Sequence, residues 1–181
     1  METIKLELET YSLDELKEES KEDAIQNMAY INVEDFEWWD FLYEDFNGRL
    51  EEIGVSCERF YWSFDRDYYI FMDKPYVSDE RKFLKSAGLD LRTKDARDLI
   101  ESGLSIETHH YGGGSARNYV SEDYLEEVDL TEYLDCILKG FLRELEDEYW
   151  HLTSEESVVE TIECNDYRFF EDGSRTQRIF A

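Results

Sequence analysis

Base is scarce in this chain, and so are proline, cysteine and histidine. Nineteen Lys and Arg face 46 Asp and Glu, a formal net charge of −27 over 181 residues. Small soluble domains more commonly carry a charge of magnitude about 2–8. A polyanion repels this chain, so nucleic acid is excluded as a direct partner. Self-repulsion of this size works against compactness, and it asks for a reason. One reason is solubility, or a salt-adapted host. The other is a surface built to meet something basic.

Three cysteines, Cys57, Cys136 and Cys164, lie far apart in sequence. An odd, dispersed set does not make a disulfide framework, and it fits a reducing compartment. Cys136 falls within an apolar helical stretch and is expected in the core. The three histidines give no metal site. His109 and His110 are neighbours on an expected strand and point to opposite faces; His151 stands near a helix end. No C-x-x-C or H-E-x-x-H occurs. No apolar run approaches the roughly 18 residues of a membrane-spanning helix. The opening M-E-T-I-K-L-E-L-E-T has neither the basic nor the apolar region of a signal peptide. A cytoplasmic protein, without cofactor or metal, is expected.

Aromatics, by contrast, reach 15%, which argues for a packed core despite the charge. The length suits one domain, read here as a single acidic α+β domain over 1–181. Ile4, Leu6 and Leu8 alternate with charged residues, predicting an N-terminal strand. Ser12 and Glu15 form a capping box, so a helix should start there, with Leu13, Leu16, Ala24, Ile25 and Met28 inward. Phe36, Trp39, Tyr43, Phe46, Leu50 and Ile53 recur every three or four residues, predicting a helix over 34–53 closed by Gly54. Aromatic runs on either side of Asp65-Arg66-Asp67 predict a hairpin, and Pro75, the sole proline, marks its exit.

Residues 78–102 are the least acidic part, holding Arg81, Lys82, Lys85, Arg92, Lys94 and Arg97. Two short helices fit there, near 78–87 and 93–102, with Gly88 and Gly103 as stops. Residues 104–111 alternate as a strand and lead into the Gly112–Ser115 loop. Leu134, Leu138, Phe141, Leu145, Tyr149 and Leu152 stripe a long helix over 130–152. Thr153 or Ser154 caps a shorter helix through Glu163, and 167–180 reads as a second hairpin turning at Glu171-Asp172-Gly173. Hairpins and single strands among helices, without βαβ alternation, give α+β: an antiparallel sheet from the N-terminal strand and two hairpins, packed with two long amphipathic helices and several shorter ones.

No motif carries catalysis. Gly112–Ser115 lacks the G-K-[ST] of a phosphate loop. The Asp65 and Asp172 segments lack calcium-loop spacing and read as turns. Paired carboxylates are uninformative among 46 acids. The pattern of acids is informative. Glu34, Glu37, Asp40, Glu44, Asp45, Glu51 and Glu52 lie largely off the first helix's aromatic stripe. Glu132, Asp135, Glu144, Asp147 and Glu148 do the same on the second. Helix neighbours three or four residues apart are about 5–6 Å apart, a scale close to that of phosphates along a DNA strand. Such rows can imitate a nucleic-acid backbone; the plainer reading of either face is a solvated helix. Trp38, Trp39, Tyr61, Trp62, Tyr68 and Trp150 are core candidates, and any left exposed would serve as interface anchors.

Three blocks, Tyr11–Gln26, Ile31–Asp45 and Leu152–Gly173, resemble a family of small acidic proteins encoded by bacteriophages and prophages. They cover about a third of the chain. The resemblance implies a mobile-element origin and carries over no site residues. Phages use small acidic proteins, some of them DNA mimics, to block restriction and CRISPR defences. Charge and resemblance together lead to a stoichiometric inhibitor whose acidic helices cover the basic, nucleic-acid-binding surface of a host nuclease or CRISPR effector, with homodimerisation possible. The alternatives are an antitoxin-like or regulatory binding module, and a virion or housekeeping protein acidic only for solubility.

Overall fold

The computed structural model describes residues 8–34, 37–64, 68–111, 114–121 and 128–176. In chain order these form a 3-10 turn (Leu13–Glu15), α1 (Glu18–Asn27), α2 (Asp40–Glu52), β1 (Val55–Ser56), β2 (Arg59–Ser63), β3 (Tyr69–Asp73), β4 (Tyr76–Val77), α3 (Glu80–Ser86), α4 (Lys94–Ser102), β5 (Ile106–His110), β6 (Ala116–Val120), α5 (Leu130–Leu152) and α6 (Glu155–Cys164). The class is α+β. The strands do not join one sheet. They form three antiparallel ribbons of two strands each: β1 with β4, β2 with β3, and β5 with β6. The expected N-terminal strand lies almost wholly outside the described residues. No helix among the described residues is long and apolar enough to cross a membrane.

The chain divides into two compact units, residues 39–147 and residues 1–38 with 148–181. In the smaller unit, Glu15 accepts a hydrogen bond from the Ser12 backbone N–H at 2.7 Å. That capping interaction holds only one turn. Leu16 is extended, and α1 begins at Glu18 rather than continuing from Ser12. Leu13, Ala24, Met28, Val158, Ile162 and Phe169 form the core. Ser154 caps α6 by accepting from Ser157 N–H. Of the second hairpin, the described residues show Phe169 bridging Arg175 around a turn at 171–173, and Phe169 also bridges Tyr11; residues 177–180 lie outside the described residues.

In the larger unit, α2 begins six residues later than the aromatic spacing suggests. Asp40 is its first residue, and Trp39 at the N-cap offers no side-chain cap. Beyond Ile53, Gly54 turns with φ +80°, and its carbonyl accepts from the N–H groups of Ser78 and Asp79 at 2.8 and 3.2 Å. A Cβ at Gly54 would stand 2.3 Å from the Asp79 carbonyl oxygen, so only glycine fits. This contact sets α3 beside the end of α2. Gly88 and Gly103 both have positive φ, in keeping with the stops expected after α3 and α4.

The core joins α2, α5 and β2 through aromatic rings. Phe46 stacks on Phe141 with centroids 4.0 Å apart, and Phe60 packs edge-on to Phe141 at 5.3 Å. Trp62 donates its indole N–H to the Tyr43 hydroxyl at 2.6 Å. Helix α5 matches its expected range, and its stripe residues Leu134, Leu138, Phe141 and Leu145 are buried.

Strand β6 has no counterpart in the sequence reading. Its centre, Asn118, is only 3% exposed. The side-chain oxygen accepts from Met72 N–H at 2.7 Å, and the amide nitrogen donates to the Met72 carbonyl at 3.1 Å and to the Thr108 hydroxyl at 2.9 Å. One side chain thus takes the place of a ladder between the β2–β3 and β5–β6 ribbons. Cys136 corrects another expectation: it is exposed, not in the core. It lies two residues, about 200° around the helix, from Leu134.

Two outcomes follow. Asn118→Ala strands the Met72 N–H, while the Met72 carbonyl keeps the Thr108 hydroxyl; it should lower the unfolding free energy by about 1–3 kcal/mol, read as a shift in urea midpoint at constant slope. Cys57 is half-buried, and that burial, with Asp73 adding to it, pushes its thiol up to about 12. Maleimide or disulfide reagents at pH 8 should therefore label Cys136 and Cys164 in the native protein, and Cys57 only after denaturation.

Candidate functional site

Packing decides which acids of α2 remain available. Phe46 and Leu50 are buried, so the opposite side of the helix faces solvent. At 100° per residue, Asp40, Glu44 and Glu51 fall within about 40° of one another, and Asp45 and Glu52 stand roughly 100–120° further round, both on the same side. All five are exposed. Along the axis, Asp40 to Glu44 spans about 6 Å and Glu44 to Glu51 about 10 Å. Asp40, Glu44, Glu51 and Glu52 have no side-chain partner among the described residues.

Within this face sits Phe41, 59% exposed. Beside it is Gly48, where an added Cβ would meet nothing within 4 Å. The two residues, with Glu44, Asp45, Arg49 and Glu52, outline a shallow depression of about 390 Å³. The exposed phenyl ring gives this face an apolar contact point beside its carboxylates.

The remaining expected contact residues are not all available. Arg49 donates to both carboxylate oxygens of Glu144, at 2.9 and 2.5 Å. It also pairs through Nε with Asp45 at 3.0 Å, one helical turn away. Its guanidinium is held further above its ordinary value, chiefly by the bond to Glu144. Asp135 is the clearest correction. Its side chain is only 13% exposed, and it pairs with Lys139 Nζ at 2.6 Å and Arg117 Nη2 at 3.3 Å. Glu132 shares that Arg117 nitrogen at 3.4 Å. On α5, Asp147 stays exposed, whereas Glu132, Asp135 and Glu144 are engaged within the fold. Glu34, Glu37 and Glu148 belong to the smaller unit, and Glu34 and Glu37 precede α2. The larger unit's acidic row is therefore carried by α2, not by two helices equally.

Among the aromatic anchors, Tyr61, Tyr68 and Trp150 are exposed, whereas Trp38, Trp39 and Trp62 are half-buried. The Tyr68 hydroxyl donates to Glu146 at 2.8 Å. Phe41 was not among the sequence candidates. Its place between Asp40 and Leu42, out of phase with Tyr43, Phe46 and Leu50, is the signal that marks it as outward. Of the basic 78–97 segment, Arg92 pairs with Asp90 and Lys94 with Asp98. Arg81, Lys82 and Lys85 on α3 are exposed and have no ion-pair partner among the described residues. Among those residues, no group of three or more His, Cys, Asp or Glu side chains is placed to hold a metal ion.

No protein-family model, curated protein or solved structure matches the chain.

The Arg49 clamp has a measurable weight. Its side chain and that of Glu144 are each 43% exposed, so solvent discounts the pair. Arg49→Gln should cost roughly 0.5–1.5 kcal/mol at low salt, and the loss should shrink in 1 M NaCl, as read by thermal melts at both salt concentrations.

Proposed function

We propose that the protein is a stoichiometric, non-enzymatic inhibitor that covers a basic, nucleic-acid-binding surface on another protein with the exposed face of α2. The observation that carries the reading is the unpaired row Asp40, Glu44, Glu51 and Glu52 around the exposed ring of Phe41. Long-range attraction from the net charge would speed encounter. Phe41 and the Gly48 depression would then hold the partner, a lysine or arginine stem lying over the ring with its head among the carboxylates. The resemblance to phage-encoded acidic proteins supports a host defence nuclease or CRISPR effector as target, met in the host-cell cytoplasm.

An antitoxin-like or regulatory contact with a basic protein is the second reading. What favours it is Phe41 itself, since imitation of a phosphate backbone does not call for an apolar anchor.

The test is capture from host lysate on immobilised protein, in low and high salt, with and without duplex DNA. A retained nucleic-acid-binding protein should be displaced by DNA and lost as salt rises. The triple variant E44K/E51K/E52K should weaken its binding by roughly tenfold or more. Full retention by that variant would remove α2 from the contact surface. A retained basic protein that DNA does not displace would select the antitoxin-like reading.

A further inference from the structure

A second feature of the larger unit stands apart from the α2 face and does not depend on the reading above. Between β3, β6 and α5 lies a cleft of about 500 Å³, within the size range of small-molecule sites. Among the described residues three cations line it, Arg117, Lys139 and Arg143, against two carboxylates, Glu132 and Asp135. In a chain carrying −27, a concavity where cations outnumber acids runs against the composition.

The ion pairs do not exhaust these cations. Arg117 reaches Glu132 and Asp135 through a single nitrogen, Nη2. Its Nε is buried and has no hydrogen-bond partner, although a buried donor of this kind normally finds an acceptor. Arg143 has no ion-pair partner among the described residues. The rest of the wall is apolar or aromatic: Ile70, Leu142, Ala116 and the rings of Tyr68 and Tyr69.

We propose that this cleft binds a small organic carboxylate with an apolar or aromatic body. Among the described residues the lining carries one positive charge in excess, which a single carboxylate neutralises and a phosphate dianion would overshoot. A carboxylate also matches the planar donor fork of Arg143, which no ion pair occupies among the described residues. The apolar body would lie against Ile70 and Leu142, with a tyrosine ring beside it.

Benzoate serves as the probe, benzamide as its uncharged counterpart and phenyl phosphate as the dianion. In ¹⁵N-correlated spectra of the whole chain, benzoate should move the Arg143 Nε–H resonance saturably. Benzamide, or sodium chloride at equal ionic strength, should leave it in place. By calorimetry, Arg143→Gln should weaken benzoate binding by about tenfold or more. If R143Q also melts early, Arg143→Lys takes its place; it keeps the charge, loses the fork, and should still bind more weakly. The proposal is overturned if benzoate leaves the resonance unmoved at tens of millimolar, if benzamide moves it equally, or if the Arg143 variants bind benzoate as the parent does. Tighter binding of phenyl phosphate than of benzoate would overturn the monoanion assignment.

Discussion

Phe46 stacked on Phe141 fixes the orientation of α2, and most of what the larger unit shows to solvent follows from that one contact. With Phe46 and Leu50 committed inward, the helix has no rotational freedom left. Its carboxylates must stand outward, close together, with Arg49 positioned to reach Glu144 on α5. Truncating a buried phenylalanine of this kind to alanine costs about 3–5 kcal/mol, more than the repulsion among a few solvated carboxylates costs. Apolar packing thus holds the acids together against their mutual repulsion.

The chain handles its surplus in two ways. Some carboxylates are neutralised inside the fold, as Asp135 is by Lys139 and Arg117, and as Glu144 is by Arg49. Others remain in water, where about 8 Å of screening at physiological salt limits their mutual repulsion. The distinction matters for function, because a paired acid must give up a partner before it can meet another. Composition alone does not separate the two groups.

The extent of helix α5 was legible, because an apolar stripe every three or four positions from Leu134 to Leu152 has no competing interpretation. Ser154, Gly88 and Gly103 were legible for local reasons: a hydroxyl before a helix, and glycine where φ turns positive. Strand β6 was not, since Arg117 and Asn118 resemble loop residues until Met72, 46 residues away, is seen to use the Asn118 amide. The start of α2 was hidden for the opposite reason: the aromatic period runs on past a point where nothing caps the helix. At the candidate site, the outward phase of Asp40, Glu44 and Glu51 was readable from helix geometry. The fate of Glu144 was not, because its partner lies 95 residues away.

The carbonyl of Gly54 binds the start of α3 to the end of α2, so the free carboxylates of one helix and the free cations Arg81, Lys82 and Lys85 of the other travel as one rigid piece. Such a body has a permanent dipole as well as a net charge. A cationic surface nearby draws in the α2 side while pushing the α3 side away, and the resulting torque turns the molecule before any atoms touch. The glycine at position 54 therefore helps to set the angle of approach, even though its own atoms carry no charge.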